Sequence, residues 1–161
     1  MEVNIYINTF HNGRQHQGTG TYAATLEYIT QADEPATLQL YKGVEGTTKN
    51  RTALIACLDA FSRLNTPCLI NLYIDNNYVT ETINQEWYKA WDMENWTSKK
   101  GEVKNADLWK EFFKDFHKHK VNISFQKDTP YSSYMQTMIK KVKIEYKEDN
   151  TCLIHSENLT Q

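Results

Sequence analysis

The chain has 161 residues, of which 40% are hydrophobic and 12% aromatic, and its formal net charge is -2 at pH 7. This length fits one domain with a core of ordinary size, and the slightly acidic balance excludes a protein held to nucleic acid by an overall basic field. No apolar run approaches the length of a membrane span, and the N-terminus lacks the basic start of a signal peptide. We therefore expect a cytoplasmic protein without a membrane partner.

The first part of the chain predicts three β-strands. Val3, Ile5 and Ile7 alternate with polar residues, which is the period of a strand with one buried face. Residues 10–19 are polar and contain glycine, so we expect a loop in which His11 and His16 are solvated. Two further strand-like segments follow with short turns, which predicts an antiparallel meander. The three predicted strands cover residues 3–8, 21–29 and 37–44.

Helices and strands alternate in the rest of the chain. Thr48 precedes apolar residues spaced three and four apart, which predicts a helix over about 48–64 with Thr48 as its N-cap. A short apolar run predicts a buried strand over Leu69–Ile74, and a strand, helix and strand in sequence permit parallel pairing. Short helices are predicted over about 77–93, and a strand over 121–125. Between them, Asn105 caps a predicted helix whose core face carries Leu108, Trp109, Phe112, Phe113 and Phe116. A last predicted helix begins at about Tyr131 and has, on one side, Met135, Met138, Ile139 and Val142.

Five short segments carry a more specific pattern. They are Val3–Asn8, Gly18–Tyr22, Thr47–Leu54, Ile74–Val79, and the three tryptophans Trp87, Trp91 and Trp96 followed by Val103–Trp109. In this order they resemble type 1 ribonuclease H over roughly residues 3–143. Thr47–Leu54, for example, is similar to the family's Thr-Thr-Asn-Asn-Arg-x-Glu-Leu signature.

The resemblance implies an α/β fold with a mixed five-stranded sheet flanked by helices, in which an antiparallel meander is followed by αβ units. We expect this domain over 1–147 and a polar C-terminal tail over 148–161. In the family, four carboxylates at the centre of the sheet hold two divalent cations that activate water for phosphodiester hydrolysis.

This chain departs from the family at three of the four carboxylate positions. Asn8 and Ala53 stand where the family has Asp and Glu, and Gln136 matches the fourth acid if Pro130 sets the register of the last helix. Asp75 is the retained carboxylate. Its alternative role is structural, as a helix N-cap or as an acid in a turn. One carboxylate does not make a two-metal site, so we expect no cofactor, and weak or lost Mg²⁺ binding. Asp128 and Glu81 are the acids that remain to be tested as substitutes.

The nucleic-acid-binding residues of the family are retained to a greater extent than its carboxylates. The resemblance assigns contacts with an RNA–DNA hybrid to Thr48, Asn50, Arg51 and Asn77, and neutral polar groups of this kind suit 2′-hydroxyl recognition. Each has a structural alternative, such as capping for Thr48 and packing along the helix for Arg51. The substrate-handling protrusion adds four further candidates, which are Trp87, Trp91, Lys99 and Lys100.

The protrusion also weakens the nucleic-acid hypothesis. Between Trp91 and Trp96, where the family often carries basic residues, this chain has Asp92 and Glu94. Acid at this position repels phosphate. The sequence therefore favours a catalytically inactive domain that binds RNA–DNA hybrid or another duplex without cleaving it. The alternative is a protein-interaction or structural module with a protein partner, and an active nuclease with a rebuilt site is least favoured.

Overall fold

The computed structural model describes residues 1–13 and 18–143. The expected tail over 148–161 and His16 lie outside the described residues. The elements are β1 (Glu2–Asn12), β2 (Gly18–Ile29), β3 (Pro35–Thr47), α1 (Lys49–Phe61), β4 (Leu69–Ile74), α2 (Asn77–Asn84), α3 (Trp87–Met93), β5 (Thr97–Ser98), β6 (Gly101–Glu102), α4 (Ala106–Phe116), β7 (Lys120–Phe125) and a last helix, α5, over 132–143. No helix among them is long and apolar enough to span a membrane.

The sheet confirms the predicted mixed, five-stranded architecture. Its strand order is β3-β2-β1-β4-β7. β1 pairs antiparallel with β2, which pairs antiparallel with β3, whereas β1–β4 and β4–β7 are parallel. The parallel strands β4 and β7 therefore end at the same edge of the sheet, and β1 continues past this edge to Asn12 in its pairing with β2. Ile7 is in register with Ile74, so the residues that follow them, Asn8 and Asp75, meet at this edge.

The main core lies between one face of the sheet and helices α1, α2 and α4. Alternate residues of β1 and β4, such as Ile5 and Leu72, point into it and are fully buried. The helix α1 approaches β2 closely because Gly20 has no side chain there. A Cβ on Gly20 would lie 2.0 Å from the Thr52 hydroxyl oxygen. This close approach positions the N-terminal turn of α1 beside the ends of the central strands.

The second core lies on the opposite face, under α5. Met135 and Ile139 of this helix are buried against Tyr6 and Ala23. These contacts confirm the predicted apolar side of the last helix. Because α5 covers the face on which Asn8 lies, residues of α5 and of the loop before it approach the edge where β4 ends.

The predicted loop over residues 10–19 is wrong at both ends. β1 continues to Asn12 and β2 begins at Gly18, and His11 pairs with Gly20 across the two strands. Ladder hydrogen bonds need only backbone groups, so a polar sequence pairs as readily when its partner strand is already aligned. His11 is not solvated as expected, because its Nε2 lies 2.7 Å from the Thr47 carbonyl oxygen.

Asn105 differs from its predicted role. It occupies the N-cap position of α4, but with a left-handed backbone (φ 61°) and no side-chain capping hydrogen bond. Its Oδ1 instead accepts a hydrogen bond from Arg51 at 3.3 Å. The boundary of α4 was thus predicted correctly, whereas the Asn105 side chain joins α4 to α1.

Candidate nucleic-acid interface

Asp75, the carboxylate that the resemblance retains, is held by hydrogen bonds from Asn8 and Thr9 of β1, just after β4 ends. The Thr9 backbone N–H donates to Asp75 Oδ2 at 2.9 Å, and the Thr9 hydroxyl donates to Oδ1 at 2.9 Å. Asn8 Nδ2 also donates to Oδ2, at 3.4 Å. Both carboxylate oxygens are therefore occupied by donors from β1, and Asp75 ties the end of β4 to that strand.

Asn8 extends this network to the loop that follows β7. Its Nδ2 donates to the Lys127 carbonyl oxygen at 3.2 Å, in the loop after β7. Two acceptors thus face the amide nitrogen, so the opposite amide orientation would place oxygen against oxygen. The consequence is that Asn8 Oδ1 is buried and, among the described residues, has no hydrogen-bond partner. Leaving such a group unpaired costs about 1–3 kcal/mol, which the two donated hydrogen bonds offset.

Neither Ala53 nor Gln136, the residue that the predicted register matches to the fourth acid, contributes an atom to this network. Ala53 is fully buried in the main core, and Gln136 is exposed on α5 beside buried Met135. A pair of Mg²⁺ ions needs several anionic oxygens in near-octahedral arrangement. Ala53 offers only a methyl group, the Asn8 amide presents its nitrogen, and the Asp75 carboxylate already accepts from three donors. This set does not fit the requirement for a pair of Mg²⁺ ions.

Both suggested substitutes are exposed. Glu81 is exposed and accepts a hydrogen bond from Gln85 Nε2 at 3.4 Å, and Asp128 is exposed after β7. Within residues 1–13 and 18–143, no group of three or more His, Cys, Asp or Glu side chains is placed to hold a metal ion.

The electrostatics of Asp75 reflect its burial. Desolvation raises the pKa of its carboxyl above the ordinary value of 3.8, while the hydrogen bonds from Thr9 and Asn8 and the positive charge of Lys49 act to lower it. Lys49 is the first residue of α1, so this helix brings a cation toward the end of β4.

A groove lies beside this position, where α1 begins near the start of α4. Its volume is about 510 Å³, and its lining residues are His11, Gly13, Thr48, Lys49, Asn50, Arg51, Lys104 and Asn105. The structure therefore brings together three of the predicted nucleic-acid-binding residues, Thr48, Asn50 and Arg51. Asn77 is exposed at the start of α2, next to Asn76, whose Nδ2 donates to Asn50 Oδ1 at 3.0 Å.

Two of these lining residues, Thr48 and Arg51, also stabilise the fold. Thr48 caps α1, as predicted, by accepting a hydrogen bond from the Arg51 backbone N–H at 3.1 Å. Arg51 forms a bidentate ion pair with Asp107, with both N–O distances at 2.9 Å. This contact raises the pKa of Arg51 and lowers that of Asp107. The guanidinium charge is thus already matched by a carboxylate of α4.

The protrusion candidates do not line the groove. Trp87 is 45% exposed on α3, whereas Trp91 is half-buried and packs against the main core. Lys99 and Lys100 are exposed at the turn between β5 and β6. Trp96 is buried, so the aromatic residues of this region divide into a core part and one exposed side chain, Trp87.

Sequence reasoning missed two residues of the site. Lys49 lines the groove, and Thr9 provides two of the donors to Asp75. The signal for Lys49 was present, since it replaces an Asn of the signature that Thr47–Leu54 resembles. Thr9 offered no such signal, because its role depends on the register of β1 against β4.

Comparison with known proteins agrees with this fold. The family model for RNase H matches residues 2–127. Ribonuclease H of Lachnoclostridium phytofermentans is 33% identical over 128 residues, covering 79% of this chain and 80% of the relative. Ribonuclease H of Chlorobium phaeovibrioides is 32% identical over 137 residues, covering 83% and 90%.

Solved structures give the same result. The crystal structure of LC9-RNase H1, a type 1 RNase H with the type 2 active-site motif, has a TM-score of 0.75 at 21% identity, covering 86% of this chain and 70% of that one. The foamy viral protease-reverse transcriptase in complex with RNA/DNA hybrid has a TM-score of 0.68 at 13% identity, covering 87% of this chain and 20% of that one. The chain belongs to the ribonuclease H family.

Proposed function

We propose that this protein is a catalytically inactive ribonuclease H domain that binds RNA–DNA hybrid, or another nucleic-acid duplex, without cleaving it. The observation that carries the proposal is the network between β1 and the end of β4. Asn8 and Thr9 occupy the oxygens of Asp75 with hydrogen-bond donors, and Ala53 offers no ligand atom. Two-metal hydrolysis depends on the ligands that this arrangement lacks.

Support for binding comes from the groove beside α1. It presents neutral hydrogen-bonding groups from Thr48 and Asn50 next to two lysines, Lys49 and Lys104. Hybrid recognition uses such polar groups for 2′-hydroxyls, and lysines for the phosphate backbone. A foamy viral relative in fold has been solved with an RNA/DNA hybrid, which makes a hybrid the first ligand to test.

The test is fluorescence anisotropy of a labelled RNA–DNA hybrid titrated with the unmodified protein, at low and physiological salt with Mg²⁺ present. A denaturing gel of the same samples reports any cleavage. We expect saturable binding that weakens steeply as salt rises, with the hybrid intact. Fragments that appear with Mg²⁺ and not with EDTA would contradict inactivity, and the absence of binding at low salt would contradict the nucleic-acid ligand.

The alternative function is a protein-interaction module, and the protrusion supplies the observation that favours it. Met93 is 87% exposed and Trp87 is 45% exposed on α3, next to the acidic Asp92 and Glu94. An exposed aromatic and an exposed methionine beside acids suit a protein partner better than a phosphate backbone. A protein that binds no duplex, even at low salt, would favour this alternative.

An active nuclease with a rebuilt site has one argument in its favour, which is that the curated relatives are named Ribonuclease H. A rebuilt site would have to recruit Glu81 or Asp128, and both side chains are exposed and, among the described residues, belong to no group of three or more acids, His or Cys that could hold a metal ion. The cleavage gel distinguishes this function from the proposed one directly.

A further inference from the structure

A cavity of about 450 Å³ lies between α3 and α4, and it shares no lining residue with the groove beside α1. Its volume is in the range of sites that bind small molecules. One side of the cavity is a single face of α4, because residues three and four positions apart on a helix are neighbours. This face consists of Lys110, Phe113, Lys114 and His117.

The inner wall of the cavity is aromatic. Trp96 and Phe113 are 8% and 6% exposed, and Tyr88 is half-buried beside them. Phe113 stacks on Tyr88 and on Trp109, with 4.3 and 5.5 Å between the ring centroids. Since protein rings occupy the faces of Phe113, a ligand meets its edge, where an aromatic ring carries partial positive charge. The wall therefore suits an apolar ring that is joined to an anionic group.

The rim of the cavity adds full positive charges. Three lysines, Lys89, Lys110 and Lys114, line the cavity against one acid, Asp92. Lys89 and Lys114 are paired with neighbouring glutamates at 2.8 and 2.7 Å. Lys110 forms no ion pair with any residue in the described ranges 1–13 and 18–143. One unmatched ammonium group at the rim is the complement of a singly charged anion.

The spacing of two of these lysines adds a reason for an anion to bind. Lys110 and Lys114 are four residues apart on α4, so their like charges repel each other on one face of the helix. An anion held between them replaces this repulsion with attraction. The pair between Lys114 and Glu111 does not prevent such binding, because it is exposed and exposed pairs are weak.

We infer that this cavity binds a small aromatic carboxylate. The ring of the ligand contacts Tyr88, Trp96 and Phe113, and its carboxylate pairs with Lys110, with Lys114 as a second contact. The inference does not depend on the proposed function, since the cavity and the groove have different lining residues.

The experiment titrates the unmodified protein with 2-naphthoate and follows the backbone amides by two-dimensional NMR. Two further probes separate the parts of the ligand, since 2-naphthamide has the same rings without the charge and acetate has the charge without the rings. Lys110→Gln removes the proposed partner of the carboxylate. Lys120→Gln is the matched control, because Lys120 is an exposed lysine at the start of β7 and does not line the cavity.

We expect 2-naphthoate to shift the amides of α3 and α4 with a dissociation constant of about 1 mM or lower. Acetate should not saturate, and 2-naphthamide should bind more weakly than 2-naphthoate. Lys110→Gln should weaken 2-naphthoate binding about two- to fivefold, as expected for loss of an exposed ion pair. The same variant should leave 2-naphthamide binding unchanged, and Lys120→Gln should leave both unchanged.

Three results would overturn the inference. The first is no saturable shift at α3 and α4, and the second is equal affinity for 2-naphthoate and 2-naphthamide. The third is a Lys110→Gln variant that binds both probes as the unmodified protein does, or that weakens both equally, because neither pattern contains an ion pair with the carboxylate. The titration contains no nucleic acid, so each of these results leaves the proposed function standing.

Discussion

The ends of the central strands and the groove beside α1 are neighbouring regions that have kept different parts of the family pattern. At three of the four expected carboxylate positions, the chain has Asn8 on β1, Ala53 on α1 and, in the predicted register, Gln136 on α5. In the groove, Thr48, Asn50 and Arg51 all persist. Two-metal hydrolysis needs its ligands together around the ions. The groove residues Thr48 and Arg51 cap α1 and join it to α4, and these structural roles do not depend on a metal site.

This difference changes how the retained residues are interpreted. Thr48 caps α1 and Arg51 joins it to α4, so their presence is explained by stability and says little about binding. Residues with no such structural contact carry more information. Lys49, Lys104 and Asn77 are exposed in or beside the groove, and their substitution tests binding without weakening the fold.

The largest expected effect comes from restoring the family acid at position 53. Ala53→Glu would place a carboxylate at a fully buried core position. We expect the free energy of unfolding to fall by about 3–5 kcal/mol, measured by urea denaturation. Ala90→Glu, on the exposed surface of α3, is the matched control and should change stability by less than about 0.5 kcal/mol. Equal stability of the two variants would mean that room for a catalytic Glu remains.

Restoring the acid at position 8 should have a smaller effect that depends on pH. Asn8→Asp removes two hydrogen bonds and sets a second carboxylate beside Asp75, which should lower stability at pH 7 by about 2–3 kcal/mol. The pair shares a raised pKa in the folded state, so the loss should be small at low pH and appear as pH rises through that pKa. The exposed Asn12→Asp on the same strand is the control. A loss that is independent of pH would argue against like-charge repulsion.

The groove residues should separate stability from affinity. Thr48→Ala removes the N-cap of α1 and should cost about 1 kcal/mol of stability, whereas Thr48→Ser retains the accepting oxygen. Asn77→Ala should do the opposite, leaving stability unchanged and weakening duplex binding, because Asn77 is exposed beside the groove. Thermal denaturation and anisotropy on the same samples measure both. A stable Thr48→Ala variant with lost affinity would show that Thr48 contacts the ligand directly.

The smallest effect concerns a contact far from both regions. His119 Nδ1 accepts a hydrogen bond from the Cys68 backbone N–H at 3.0 Å, which requires a neutral ring, and burial lowers the pKa of His119 below its ordinary value of 6.5. The unfolded chain then binds the proton first, so stability should be complete above pH 6.5 and decline as pH falls toward the folded pKa.

Denaturation midpoints between pH 5 and 8 measure this decline. His119→Asn keeps an accepting oxygen but cannot titrate, and should flatten the profile. The exposed His117→Asn serves as the control and should retain the slope. A profile that is unchanged by His119→Asn would assign the pH dependence to another group.

Local patterns were sufficient for most of the element order. The bounds of β4 were predicted correctly, and so were the Thr48 cap and the buried side of α5. Each of these follows from residues within a few positions of one another, since period and capping are local. The extension of β1 to Asn12 was missed because it depends on the partner strand β2.

The amino-acid sequence by itself determined the fold class and the family signature, and it predicts a loss of metal ligands, because an Ala or a Gln cannot act as an anionic ligand in any conformation. Only the tertiary structure decided what Asn8 and Thr9 do instead, since Asn8 meets Lys127 across 119 positions of the chain. It likewise decided that Lys49 and Lys104 share a groove and that Arg51 is already paired. These contacts join residues distant in the chain, and strand register and helix packing set their distances.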